Sequence, residues 1–235
     1  MAVPSMHVLA GKQPASGGGF APTGVAGCLL WLGAADAATF TCSSGTLVSQ
    51  WSDKSGNSNH ATQGNAADQP DRAGSQNGLA TVSWPSNDML NLPNQAASED
   101  QTFFFVMKDT GGDWTSGSFF CWGRLRFDRN NGGDHLLILT RLGVTNESTG
   151  VYVGSAWTTW SWSLAAKALT LYKDGTSAYS GAVHNMDTYS ATSTLGYSTS
   201  FFQGEMAEIL VYDSTLGTTD RQAVEAYLKA KWGTP

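Results

Sequence analysis

Short apolar runs separated by clusters of turn-forming residues make up the chain from Gly27 onward. The runs that we predict as strands are Cys28–Leu32, 45–51, Leu79–Trp84, Thr102–Met107, Phe119–Phe127, His135–Leu142, Val151–Ala156, Ala168–Lys173, Thr194–Tyr197 and 207–212. Asp174-Gly175 predicts a tight hairpin turn, and Asn130–Asp134 predicts a longer one. Strands at a spacing of roughly eight to twelve residues are typical of an antiparallel β-sandwich, which we predict as one domain over residues 25–235.

A helical period appears near the C-terminus. Val224, Tyr227, Leu228 and Trp232 form an apolar face, and Arg221, Glu225 and Lys229 lie opposite it. We expect Thr219 to be the N-cap, with Gln222 closing a capping box. Gly233 and Pro235 predict the stop. The pattern therefore predicts one short helix, packed on the sandwich through its apolar face after the buried strand at 207–212.

Residues 1–24 differ from the rest, because they contain the glycine-rich Ser16–Gly19 and few large side chains. A glycine-rich segment buries too little surface to offset its ordering entropy. Two interpretations stay open: a flexible tail, or an arm that becomes ordered against a partner in an assembly.

The low content of charged residues argues against some classes of function. Charged residues are 14% of the chain, the net charge is −6 and the isoelectric point is about 5.0. Nucleic-acid binding requires a basic face, and the nearest candidate is the group Arg124, Arg126 and Arg129. We predict no nucleic-acid partner and no membrane insertion. Neither a secretory signal nor metal-type spacing of Cys28, Cys42 and Cys121 is evident, so we expect synthesis in a reducing cytoplasm. A Cys28–Cys42 disulfide is the weaker option.

Several motifs resemble those of a known superfamily. They are Leu30–Asp36, Gln50–Gln63, Gln69-Pro70, Asn77-Gly78, Ser86–Leu90 and Leu171–Gly175, followed by the C-terminal strand and helix. In this order they resemble the laminin-G-like branch of the concanavalin A-like lectins and glucanases. The resemblance covers residues 25–233 and implies a jelly-roll sandwich. It leaves the function open, because the superfamily includes sugar binders, glycosidases, adhesion modules and virion proteins.

Two groups of polar residues invite a chemical interpretation. Asp53, Asn57 and Asn59 have oxygens suited to calcium, but such residues also build turns. The resemblance implies a structural loop with His60 beneath the sheet, so we predict no metal site, although calcium stays open as a cofactor. Glu205 and Glu208 are the nearest match to the paired glutamates of the glucanases. Their spacing of three predicts opposite faces of a strand. Since nucleophile, zinc and phosphate-loop motifs are missing from the sequence, we predict a protein that is not an enzyme.

Tryptophans are the candidate ligand-binding residues. Trp160 and Trp162 share one face of a strand, with Trp157 nearby, and Trp114 follows Asp113 in a Gly-rich loop. Exposed aromatic rings beside polar groups favour carbohydrate. We predict a shallow site formed by Asp113, Trp114, Trp157 and Trp160, while expecting most of the nine tryptophans to lie in the core.

The sequence thus predicts a non-catalytic surface protein of a phage virion: a head decoration, spike or tail-fibre component. Its partners would be cell-surface glycans and other virion proteins, the latter reached through residues 1–24, and we expect many copies or a homo-oligomer. The alternative is a carbohydrate-binding module of a bacterial extracellular protein.

Overall fold

The computed structural model describes residues 19–96, 98–111, 117–123, 125–129, 136–141, 147–166, 168–182, 190–197 and 200–235. Its strands are β1 (Cys28–Gly33), β2 (Phe40–Ser44), β3 (Leu47–Trp51), β4 (Ala61–Thr62), β5 (Asp71–Gln76), β6 (Leu79–Trp84), β7 (Leu90–Ala96), β8 (Gln101–Asp109), β9 (Gly117–Trp122), β10 (Leu125–Arg129), β11 (Leu136–Arg141), β12 (Glu147–Tyr152), β13 (Thr158–Ala165), β14 (Ala168–Lys173), β15 (Thr176–Ala182), β16 (Ser190–Leu195) and β17 (Gly204–Tyr212). Short 3₁₀ turns lie at Pro22–Gly24, Ala37–Thr39 and Ala66–Asp68, and the α-helix α1 spans Thr218–Trp232.

The strands pair antiparallel in two layers, which confirms the predicted jelly-roll β-sandwich. One layer runs β1–β17–β8–β13–β14–β15, and the other runs β7–β16–β9–β10–β11–β12. The hairpins formed by β2 to β6 connect them, through β6 to β17 and through β4 to β7. The first layer is the one on which α1 packs.

Aromatic rings fill the space between the layers. Phe103 and Phe105 of β8 contact Phe127 of β10, with ring centroids 4.8 and 5.4 Å apart. Trp162 of β13 meets the same Phe127 ring edge-on at 5.2 Å. Such pairs favour tilted and edge-on geometry because the ring face is negative and the rim positive. Six of the tryptophans are fully buried, as expected: Trp51, Trp84, Trp122, Trp160, Trp162 and Trp232.

One predicted strand proves to be a hairpin. The run Phe119–Phe127 divides into β9 and β10, which pair with each other. Gly123 at the turn has a φ of 58°, a left-handed conformation that favours glycine. The predicted turn at Asp174-Gly175 is confirmed, since both residues have positive φ (49° and 79°) between β14 and β15. The other predicted turn, Asn130–Asp134, lies outside the described residues.

The helix begins two residues earlier than predicted, and its cap differs. Gly217 is the N-cap, without a side-chain hydrogen bond, so the prediction of Thr219 and Gln222 as a capping box is wrong. Gly233 is left-handed with a φ of 65°, which confirms the predicted stop. Arg221 and Glu225, expected on the solvent-exposed side of the helix opposite its apolar face, are 6% and 3% exposed. They are buried because they form an ion pair one turn apart, with Arg221 Nη1 2.5 Å from Glu225 Oε1.

The N-terminal segment meets the domain within its described part. Pro22 is buried, and its carbonyl accepts a hydrogen bond of 3.0 Å from the Tyr212 hydroxyl. The rest of the predicted arm, residues 1–18, lies outside the described residues.

Candidate functional site

The structure separates the tryptophans that were predicted to form a site. Trp160 of β13 is fully buried beside its partner Phe105 on the neighbouring strand β8, so its ring has no surface for a ligand. Its predicted role as a sugar platform is therefore corrected to a core residue. Trp157 is half-buried and just precedes β13. Asp113 and Trp114 lie outside the described residues.

Strand geometry explains why Trp157 and Trp160 lie on opposite faces of the sheet. Side chains alternate along a strand, so a spacing of three puts them on opposite faces. The Thr159 hydroxyl is 2.6 Å from that of Thr234, and the Ser161 hydroxyl donates to Glu225 of α1 at 2.7 Å. The odd-numbered residues of β13 thus face the helix, whereas Trp160 faces the core. Trp157 belongs to the outer, helix-bearing face, which we call the outer face.

A charged network lies beside Trp157. Lys108 Nζ is 5.3 Å from the centre of the Trp157 ring and 2.7 Å from Glu205 Oε1. The Thr81 hydroxyl donates to Glu205 Oε2 at 2.6 Å. The side chains of Lys108 and Glu205 keep 24% and 16% of their surface exposed, so this end of the sheet is reachable from solvent. An aromatic ring, an ammonium and a carboxylate held together can stack on a sugar and bond its hydroxyls.

A β-bulge corrects the predicted placement of the two glutamates. Glu205 pairs with Lys108 of β8, and Glu208 pairs with Val106, because the register shifts between Met206 and Glu208. Lys108 and Val106 are two residues apart, so both glutamates lie on the outer face and not on opposite faces. The extra residue of a bulge cannot be read from spacing alone.

Glu208 nonetheless lies beneath the helix and is fully buried. Its Oε1 accepts hydrogen bonds from Trp31 Nε1 at 2.6 Å and the Tyr227 hydroxyl at 2.8 Å. Its Oε2 accepts from Lys231 Nζ at 2.6 Å and Trp232 Nε1 at 2.7 Å. Burial, followed by the Glu208 charge, raises the pKa of Tyr227 well above its usual range, so the phenol stays a donor. This cluster fastens α1 to the sheet.

Tyr152 is a second surface aromatic that the sequence did not single out, and it is 53% exposed. Its carbonyl accepts a hydrogen bond of 3.4 Å from Lys173, which pairs with Trp160 in the adjacent strand. Tyr152 therefore lies at the same end of the sandwich as Trp157. The sequence held a signal for it, because the neighbouring Val151 and Val153 point the intervening side chain outward.

A groove opens between α1 and the turn joining β14 to β15. It has a volume of about 340 Å³ and is lined by Asp174, Gly175, Thr176, Gln222, Glu225, Ala226 and Lys229. Asp174 Oδ1 accepts the backbone N–H of Thr159 at 2.9 Å, and its carbonyl accepts Lys229 Nζ at 3.2 Å. Burial raises the pKa of Asp174 above its ordinary value, although its hydrogen bond to Thr159 opposes that shift.

The loop at Asp53 is held by its own hydrogen bonds. Asp53 Oδ1 accepts the backbone N–H groups of Trp31 (2.9 Å) and Ser55 (2.8 Å), and Oδ2 accepts the N–H of Asn59 (3.0 Å). His60 Nδ1 accepts the N–H of Asp53 at 3.0 Å. This supports the structural interpretation of the loop. Within the described ranges no group of three or more His, Cys, Asp or Glu residues is arranged to hold a metal.

Two of the three arginines named in the sequence analysis form ion pairs, and the cysteines are reduced. Arg126 and Arg129 form ion pairs with Asp128 and Asp109, at 2.5 and 2.8 Å, and Arg124 lies outside the described residues. All three cysteines are described, and no disulfide joins any two of them. Burial and the Asp53 charge raise the pKa of Cys28 to about 12, so its thiol is protonated at neutral pH. No helix in the described part of the chain is long and apolar enough to span a membrane.

Comparison with known proteins supports the fold. No family model matches the chain, and no curated protein matches its sequence. Among solved structures it is similar to domain 4 of AbnA, a GH43 extracellular arabinanase from Geobacillus stearothermophilus solved with arabinotriose (TM-score 0.62, 16% identity, 83% of this chain and 96% of that one).

Two toxin structures show the same fold. The structure concerning botulinum neurotoxin type C and its interaction with two ganglioside molecules has a TM-score of 0.62 at 11% identity, over 88% of this chain and 54% of that one. The binding domain of Paraclostridial Mosquitocidal Protein 1 has a TM-score of 0.61 at 13% identity, over 92% and 56%. The chain thus spans little more than half of these toxin chains. By its fold the chain is a β-sandwich domain similar to those in these structures.

Proposed function

We propose that this protein is a non-catalytic glycan-binding domain whose site lies at the end of the sandwich that carries Trp157. The observation that carries the proposal is the half-exposed Trp157 indole beside Lys108 and Glu205. The glycan-associated proteins that share the fold support it. One sugar stack with a few hydrogen bonds gives an affinity near millimolar, about −4 kcal/mol, so effective adhesion requires several copies.

The absence of catalysis is part of the same proposal. Hydrolysis by paired carboxylates requires that both acids flank one glycosidic bond, at about 5 Å for retention or 6.5–9.5 Å for inversion. Glu205 is partly exposed, but Glu208 is sealed under α1 and accepts four hydrogen bonds. A substrate would reach Glu205 without reaching Glu208. Incubation with the glycan that binds, followed by chromatography of the products, should show no cleavage, and released sugars would contradict this.

A glycan array read with a multimerised form of the protein tests the binding. The unchanged protein should bind at least one glycan, and Trp157→Ala should lower that signal at least tenfold, since the stacking ring is lost. Phe40→Ala is the matched control, because Phe40 is also half-buried with a cation, Arg72, 4.9 Å from its ring centre. A blank array, or equal loss in both variants, would overturn the proposal.

Two settings for the domain follow from the sequence. The virion surface remains our first proposal and rests on residues 1–24 as an attachment arm. The alternative, a module of an extracellular bacterial protein, is favoured by one observation: the chain matches 96% of an arabinanase domain of similar extent. Gene neighbourhood separates them, because capsid and tail genes alongside support the first and a fused or adjacent glycosidase gene supports the second.

A further inference from the structure

The groove between α1 and the β14–β15 turn has the features of a built binding site. Small residues open it: Gly175 at the turn and Ala226 on the helix. Gly175 takes a φ of 79°, a conformation that is strained for a residue with a side chain. The turn therefore has no side chain at this position to occupy the space beside the helix. The volume of about 340 Å³ is at the lower end of the range for small-molecule pockets, roughly 300–1,000 Å³.

Glu225 provides an acceptor that is already fixed in place. The side chain is 3% exposed, and its Oε1 accepts both the Ser161 hydroxyl at 2.7 Å and Arg221 Nη1 at 2.5 Å. Arg221 is itself held, with its guanidinium 3.7 Å from the centre of the Tyr172 ring. The other oxygen, Oε2, is directed toward Gly175, where an added Cβ would lie 3.4 Å from it. Because the hydrogen bonds to Oε1 already fix the carboxylate, little conformational entropy is lost when a ligand donates a hydrogen bond to Oε2.

The groove is lined by charges of both signs. Asp174 and Glu225 are acidic and Lys229 is basic, and the charge of Glu225 is offset by its ion pair with Arg221 behind the lining. Thr176 and Gln222 add groups that both donate and accept. A neutral ligand with several hydroxyl groups matches this mixture, whereas an anion or a cation would meet a like charge.

We propose that this groove is a second saccharide subsite, which binds the sugar residue next to the one stacked on Trp157. The inference rests on the proposed function. The groove and Trp157 are connected through β13, because the backbone N–H of Thr159, two residues after Trp157, donates to Asp174 Oδ1 at 2.9 Å. The protein therefore binds a neutral oligosaccharide more tightly than a monosaccharide.

Titration of the ¹⁵N-labelled protein tests the inference, with glucose, galactose, arabinose and arabinotriose as probes followed by NMR. Arabinotriose should shift the backbone amides of Thr176, Gln222 and Ala226 together with the Trp157 indole. Ala226→Phe fills the groove from an exposed helix position, so we expect the variant to fold. It should weaken arabinotriose binding about tenfold, and Ala226→Ser, the matched control, should leave it unchanged.

The outcomes separate the two proposals. If the Trp157 indole shifts but the groove amides do not, or if Ala226→Phe binds arabinotriose as tightly as the unchanged protein, the groove inference fails and the proposed function stands. If the groove amides shift and the Trp157 indole does not, the groove binds saccharide without Trp157, and both the Trp157 site and the proposed pairing of the groove with it fail. If none of the four sugars shifts the groove amides, the groove is not a saccharide subsite, and the glycan array alone decides the function.

Discussion

At the scale of single residues, the buried carboxylate of Glu208 is the centre of the outer face. It receives hydrogen bonds from Trp31, Tyr227, Lys231 and Trp232, which come from β1 and α1. A buried charge is costly unless its partners compensate it, and here both oxygens are fully engaged. The same residue looked like an interruption in an apolar run of the sequence, because the donors that explain it are up to 177 positions away.

Removing this carboxylate should destabilise the protein strongly. Glu208→Ala leaves two indole N–H groups, a phenol and an ammonium without their acceptor, which costs about 3–5 kcal/mol. Urea denaturation measures the loss as a lower midpoint at an unchanged slope. Asp220→Ala, an exposed acid on the same helix, is the control and should change stability by less than about 0.5 kcal/mol. Equal effects from both variants would show that the Glu208 cluster does not fasten the helix.

At the scale of elements, α1 shows which parts of a helix are readable from sequence. The apolar period placed Val224, Leu228 and Trp232 correctly, because burial on one face requires that spacing. The cap was misplaced, since a Thr followed by Gln at the right interval is only a local pattern, whereas the helix has Gly217 as its N-cap, without a side-chain hydrogen bond. Arg221 and Glu225 were misplaced because an ion pair with a partner on the sheet can be buried on a face that looks polar.

Two substitutions in α1 should therefore differ sharply. Trp232→Ala removes a fully buried side chain and a hydrogen bond to Glu208, so we expect a loss of about 3–5 kcal/mol and a melting temperature lower by many degrees. Thr219→Ala, at an exposed position that is not the cap, should stay within about 0.5 kcal/mol. Differential scanning calorimetry compares them. A Trp232→Ala melting temperature within error of the original would mean that α1 is only an appendage.

The β14–β15 turn yields a pH-dependent prediction. Burial raises the pKa of Asp174 in the folded state above its value in the unfolded chain. The ionised carboxylate therefore destabilises the fold at pH values above the folded-state pKa, and this destabilisation disappears at pH values below the unfolded-state pKa. Asp174→Asn keeps an oxygen for the Thr159 N–H and forms the Asn-Gly pair that suits such turns. The variant should therefore be more stable near neutral pH, and the gain should shrink as pH falls through the range of carboxyl titration. Thermal melts at neutral and acidic pH check this, and a gain that grows toward acid would contradict it.

At the scale of the whole molecule, the fold could be predicted and the site only partly. Alternation, turn residues and one helical period defined the sandwich, because each reflects a local rule that the whole chain obeys. The site depended on which face a tryptophan takes. Trp160 and Trp162 were placed correctly on one face, but that face proved to be the core, and the exposed partners Lys108 and Glu205 meet Trp157 only through strand pairing. Such long-range pairing leaves no mark in spacing.

The N-terminal boundary carries the last prediction. The sequence places the end of the arm at residue 24, yet Pro22 is buried and its carbonyl accepts the Tyr212 hydroxyl, while Phe20 lies 5.5 Å from the Tyr227 ring. Deletion of residues 1–18 should leave the free energy of unfolding within about 0.5 kcal/mol, since glycine-rich sequence contributes little burial. Deletion of residues 1–24 should cost about 1–3 kcal/mol more, because the buried Tyr212 hydroxyl loses its acceptor. Urea titration of the two truncated forms beside Tyr212→Phe, which removes the hydroxyl alone, isolates that bond. If both truncations unfold at the midpoint of the full chain, the described part of the segment is not part of the sandwich.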